Sequence, residues 1–251
     1  MNYKLIALDM DGTLLRKDKT VSERTKKAIE DARKKGVTVV LATGRPIDGV
    51  TKYLEELDMY GENDYVLSYN GGLVLKTKNR EPICKIGLIG EDLHYLYEIS
   101  KELGVNIHAF SETKGLITPK NSKYTEVEAN INNIKINIED FNKLEKDHSI
   151  IKIMMIDEEE VLQKAIDNLP KEVYDKYTVV RSAPYFLEFL NLKSCDPHTT
   201  VASLPPGKYE VINWWFLLTV TSKSANTTAS YKVEDIWHIP PPRPSTTFPP
   251  E

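Results

Sequence analysis

The stretch KLIALDMDGTLL, residues 4–15, decides how the chain is read. Its apolar run suits a strand covered on both faces. The run ends in two aspartates one position apart, Asp9 and Asp11, followed by Gly12 and Thr13. Like charges so close raise each other's free energy unless something positive stands between them. Residues i and i+2 of an extended segment face the same side, so both carboxylates reach one space.

Working outward, SERTKKAIEDARKKG (22–36) reads as a helix. Ser22 suits the N-cap, Ala28, Ile29 and Ala32 share a face, Lys34 and Lys35 suit the last turn, and Gly36 suits the stop. VTVVLATGR (37–45) is a second buried strand ending in Thr43-Gly44-Arg45. PIDGVTKYLEELDM (46–59) reads as a second helix with Pro46 at its first position. DYVLSYNGG (64–72) is a third strand ending in Asn70-Gly71-Gly72. Strands and helices alternating through short links imply right-handed crossovers and a parallel, Rossmann-like sheet. Ligands of such sheets sit beyond the carboxyl ends of the strands, where all three candidates end in small or polar residues.

The 251 residues are 41% hydrophobic and 28% charged, as expected of a soluble globular protein. A net charge of −4 argues against nucleic acid as a partner. Cys84 and Cys195 are isolated thiols that suit a reducing cytoplasm. MNYKLIALD does not read as a signal peptide, and no apolar run is long enough to span a membrane. The expectation is a cytoplasmic monomer or homodimer with neither nucleic acid nor membrane as partner.

Three segments are expected: an N-terminal core part (1–82), an α+β module (83–190) and an atypical C-terminal region (191–251). The module contains the helices EDLHYLYEISKELG (91–104) and EEEVLQKAIDNL (158–169), separated by short strand candidates. Met154 and Met155 read as core, and the acidic triplet Glu158–Glu160 as first-turn charge favoured by the helix dipole. Residues 192–251 hold nine of the 14 prolines and all three tryptophans, and end in a Pro-rich tail. None of the five histidines, His94, His108, His148, His198 and His238, shows metal-ligand spacing.

A carboxylate can attack a phosphate monoester and form an aspartyl-phosphate, provided a cation such as Mg²⁺ offsets the repulsion. Asp9 suits the nucleophile and a metal ligand. Asp11 suits the acid that protonates the leaving oxygen and then the base that takes a proton from water. Gly12 lets the backbone turn and present N–H groups to phosphate, and Thr13 fixes the turn. Thr43 and Gly44 offer a hydroxyl and an N–H to another phosphate oxygen, Arg45 a fork for substrate or a carboxylate, and Asn70 and Gly71 the substrate entrance.

DMDGTLL, LATGR and SYNGG, in that order, resemble the haloacid dehalogenase superfamily, and more narrowly its Cof-type sugar-phosphatase branch. RSAPYFLEFLN (181–191) is similar to the segment returning from that branch's inserted cap to its core, so the resemblance covers residues 1–191. It implies an α/β core with an α+β cap over residues 83–190, and Mg²⁺-dependent hydrolysis of small phosphate monoesters such as sugar phosphates. By the same matching Asp9 is the nucleophile, Asp11 the acid/base, the Asp11 backbone carbonyl a metal ligand, and Met10, Thr43 and Gly44 phosphate contacts. A carboxylate at Asp11, where relatives that store the phosphoenzyme carry threonine, favours a phosphatase or mutase.

The family's lysine and GDxxND loop are not evident after residue 191. Lys193 lies near the expected lysine, and Asp196 and Asp235 are isolated acids, so the third protein ligand of the metal is not identifiable. Two consequences are expected: an atypical, incomplete C-terminal part of the core, which a shift of reading frame near codon 192 would explain, and an exposed edge on the first strand unless residues 211–221 fill it. The alternative function is a catalytically impaired relative that binds phosphate or sugar phosphate.

Overall fold

The computed structural model describes residues 5–193 and the backbone of 209–212. Cys195, Asp196, Asp235 and the Pro-rich tail lie outside the described residues. The first sheet has the order β13-β1-β2-β3-β4-β5. Its strands are β1 (Leu5–Asp9), β2 (Thr38–Ala42), β3 (Tyr65–Ser68), β4 (Leu73–Lys76), β5 (Pro82–Lys85) and β13 (Tyr209–Ile212). β1 pairs in parallel with β2, and β2 with β3. Along β2, Val39 and Leu41 face one hydrophobic cluster while Val40 and Ala42 face another. The sheet is thus covered on both faces, as the unbroken apolar runs require.

Between β1 and β2 runs α1 (Glu23–Lys34), whose N-cap Ser22 accepts a hydrogen bond from the Thr25 amide at 3.0 Å. The segment read as one helix from Pro46 divides instead. A 3₁₀ turn, Ile47–Gly49, precedes α2 (Thr51–Glu56), and Pro46 stands just outside the turn. The sheet is mixed rather than wholly parallel, because β4 runs antiparallel to β3 and β5 antiparallel to β4. The cause is the Tyr69–Gly71 turn, which is far too short for the crossover that a parallel pair needs.

β1 is not an edge strand. β13 lies beside it in parallel, Leu5 opposite Tyr209 and Leu8 opposite Ile212, within the region expected to be incomplete and overlapping the first two residues of the segment expected to fill the slot.

The second sheet has the order β11-β12-β10-β7-β8-β9. It comprises β7 (Asn106–Ser111), β8 (Gly115–Thr118), β9 (Ile136–Ile138), β10 (Ser149–Ile156), β11 (Tyr177–Ala183) and β12 (Phe186–Asn191), with β6 (Leu88–Ile89) paired to β10. One face packs beneath α3 (Gly90–Leu103) and α5 (Glu159–Asp167), and takes Met155. The other face joins the first sheet: Met154, Phe110 and Phe186 share a cluster with Met10, Leu41 and Tyr69. α4 (Lys123–Asn132) and α6 (Lys171–Lys176) complete the described helices. No helix among the described residues is long and apolar enough to cross a membrane.

Candidate active site

The carboxyl end of β1 folds back on itself. The Leu14 amide donates to the Asp9 carbonyl and the Leu15 amide to the Met10 carbonyl, at 3.1 and 2.9 Å. The reversal relies on Gly12, whose φ of +87° an L side chain rarely adopts. Thr13 Oγ1 donates to Asp9 Oδ2 at 2.9 Å, so the side chain expected to fix the turn also orients the first carboxylate. Met10 is fully buried.

The second strand end reaches the first through Arg45. Its Nε and Nη2 grip Asp11 Oδ2 and Oδ1 at 2.7 and 2.8 Å, a two-pronged pairing. Lys19 Nζ, absent from the sequence-based candidates, also donates to Asp11 Oδ1 at 2.8 Å. It is carried there by a turn in which Lys19 takes a φ of +62°, anchored by the Tyr53 hydroxyl donating to the Lys19 carbonyl.

Burial alone would raise the Asp11 carboxyl, but hydrogen bonds and charge from Arg45 and Lys19 outweigh it and bring it down to about 2. Asp9 moves the other way. Burial pushes its carboxyl up despite hydrogen bonds from Thr13 and the Met10 backbone, and the Asp11 charge adds to the rise.

The third strand end locks onto the second. The Asn70 amide donates to the Thr43 carbonyl at 3.0 Å and the Tyr69 amide to the Arg45 carbonyl at 3.1 Å. The Thr43 hydroxyl accepts from the Arg45 amide at 3.2 Å. A side chain at Gly44 would collide with Asn70, since a Cβ there would lie 2.6 Å from Asn70 Oδ1. Asn70 and Gly71 both adopt positive φ, 54° and 84°. The three strand ends therefore form one hydrogen-bonded assembly.

The second sheet contributes groups that were not among the sequence-based candidates. Lys152, buried on β10, donates from Nζ to the Gly44 carbonyl at 3.3 Å and pairs with Glu188 of β12 at 3.3 Å. Glu188 Oε2 in turn accepts from Asn70 Nδ2 at 2.8 Å, and Oε1 from the Ser182 hydroxyl at 2.6 Å. Glu128 of α4 is buried nearby. Burial pushes its carboxyl up, against the pull of Lys152 and Arg45. A charge inside an apolar run, as in IIKIMMI and YFLEFL, was the available signal for Lys152 and Glu188.

The oxygen donors of β1 suit a hard cation. The Asp9 carboxylate and the Asp11 carbonyl belong to one strand end, and Mg²⁺ keeps several waters and binds through few protein oxygens. Among the described residues no group of three acidic, histidine or cysteine side chains is placed to hold a metal ion.

Comparison with known proteins identifies the family. Residues 6–197 match the family model of haloacid dehalogenase-like hydrolases. YxeH of Bacillus subtilis, a protein named as a phosphatase, is 43% identical over 191 residues, spanning 75% of this chain and 70% of its own. A Streptococcus pyogenes protein, also named as a phosphatase, is 38% identical over 192 residues, with 76% and 71% covered. Among solved structures, a haloacid dehalogenase-like hydrolase from Bacteroides thetaiotaomicron superposes with a TM-score of 0.70 at 28% identity, covering 80% of this chain and 75% of that one. The chain belongs to the haloacid dehalogenase-like hydrolase family and is an enzyme of its phosphatase kind.

Proposed function

We propose that the protein is a Mg²⁺-dependent phosphatase that hydrolyses small phosphate monoesters such as sugar phosphates through an aspartyl-phosphate on Asp9. The supporting observation is the convergence of Asp9, Asp11, Thr43–Arg45 and Asn70 into one hydrogen-bonded assembly at the carboxyl ends of three strands.

In this reading an Asp9 carboxylate oxygen attacks phosphorus in line with the ester bond. That bond breaks as Asp11 gives its proton to the leaving oxygen. Water then attacks phosphorus, Asp11 takes the proton, and Asp9 is released with inorganic phosphate. The Thr43 hydroxyl and the amides of Met10 and Gly44 hold the phosphoryl oxygens as charge builds on them. The Asp9 carboxylate and the Asp11 carbonyl would hold Mg²⁺, which supplies, when bound, the positive charge that lets an anion approach a phosphate.

Asp11 gripped by Arg45 and Lys19 is the ionised form, ready to take a proton from water. A phosphate dianion competes for the same two cations, and so frees Asp11 for its acid role. The second sheet sets the buried Lys152 and Glu188 against the Gly44 carbonyl and the Asn70 side chain, at the edge of this assembly.

Turnover of p-nitrophenyl phosphate, followed by a panel of sugar phosphates with and without Mg²⁺, tests the proposal. It requires turnover that depends on the ion and vanishes in Asp9→Asn. Folded protein that binds phosphate without hydrolysing any ester would point instead to a binding relative.

A further inference from the structure

Among the described ion pairs, Lys152–Glu188 alone has both side chains less than a tenth exposed, at 2% and 6%. Burial of two charges rarely adds stability over a well-packed apolar pair of the same volume. The placement of their remaining hydrogen bonds is specific. Each partner spends one on a different catalytic strand end: Lys152 on the Gly44 carbonyl, Glu188 on the Asn70 side-chain Nδ2. Those two ends touch each other and carry Arg45 onto Asp11.

A β-bulge makes the reach possible. The register between β10 and β7 slips between Ile150 and Lys152. Ile150 consequently packs in the cluster under α3, whereas Ile151 lies in the cluster shared with the first sheet and Lys152 reaches Gly44 on that same side. Strict alternation would have turned Lys152 away from Gly44.

We propose that Lys152 and Glu188 are positioning residues: the pair holds the Thr43–Arg45 and Asn70 loops from the second sheet, fixing the donors that meet the phosphoryl group. This rests on the phosphatase reading for its catalytic consequence, though not for its structural one.

The test uses the full chain and the charge-neutral double variant Lys152→Met/Glu188→Gln, with two readouts. The first is amide hydrogen exchange, which needs no activity. Exchange at Arg45, Tyr69 and Asn70 is expected to rise at least about tenfold, while α1 and β7 keep their wild-type protection. The second is kinetic: kcat for p-nitrophenyl phosphate is expected to fall about tenfold or more with KM within about threefold. Inhibition by vanadate, a mimic of the five-coordinate phosphoryl group, should weaken more than inhibition by inorganic phosphate. Lys152→Arg, which keeps charge and donors, should retain loop protection that Lys152→Met loses.

Unchanged exchange at the three loop amides overturns the proposal, as does exchange that rises equally everywhere. Should the double variant not fold, Ser182→Ala and Glu188→Gln give the same readouts singly. A wild-type protein that hydrolyses nothing refutes the phosphatase reading, and the exchange data still decide the role of the pair.

Discussion

The two sheets treat charge in opposite ways. In the first, β1, β2 and β3 carry no charge before their last residue, and Asp9, Asp11 and Arg45 appear only where the strands end. In the second, Lys152, Glu188 and His108 sit in mid-strand. Cover on both faces explains the first pattern, because polar groups can meet solvent or ligand only past the strand termini. The second sheet has one face against α3 and α5 and the other against the strand ends, so a mid-strand charge on that side finds polar partners. One sheet holds its chemistry at its rim, the other on its surface.

Substitutions can break this contrast. The largest effect belongs at the rim. Asp9→Asn should lower hydrolysis by roughly 10³-fold or more, with a thermal midpoint close to wild type, because in the proposed mechanism the lost group is the nucleophile and not a packing element. Steady-state kinetics beside a melting curve measures both.

On the surface of the second sheet the ordering reverses, and stability suffers first. Lys152→Met alone leaves the Glu188 carboxylate buried without its cation, which should cost about 3–5 kcal/mol in urea unfolding. Removing both charges together should recover most of that loss.

The third prediction concerns His108, buried between Thr125 and the Met154 sulfur. Burial, with the Lys152 charge behind it, lowers its imidazole to about 3. The unfolded chain, with an ordinary histidine near 6.5, binds the proton first. The stability tied to neutral His108 is therefore fully present above about pH 6.5 and is lost as pH falls toward 3, by up to about 1.4 kcal/mol per pH unit. His108→Gln should flatten that slope in chemical unfolding between pH 7 and 5.

The smallest effect is far from both regions. Ser22→Ala removes the α1 cap and should cost about 1 kcal/mol in unfolding, with kcat and KM unchanged.

What the sequence made legible follows the same contrast. The rim could be read, since Asp9–Gly12, Thr43–Arg45 and Asn70–Gly71 stand beside breaks in apolar runs, and the capped helix from Ser22 announces itself. The mixed direction of the sheet lay in the Tyr69–Gly71 turn, whose Asn70-Gly71 pair is a hairpin signal that the reading of a simple strand end passed over. The 3₁₀ turn at Ile47–Gly49 was masked by residues that suit a helix start equally well. Lys152 and Glu188 escaped because a charge in an apolar strand has no direction until the bulge and register are known. Lys19 acquires its role only when the turn from Arg16 to Thr20 swings it over Asp11.

The parallel seam between β1 and β13 has a consequence for how the protein is made. β1 leaves the ribosome about two hundred residues ahead of the strand that closes its outer edge. At roughly 5–20 residues per second, that edge stays open for about 10–40 s. Throughout that interval the strand bearing Asp9 is a template for stray pairing, and whatever shelters the nascent chain must cover that edge.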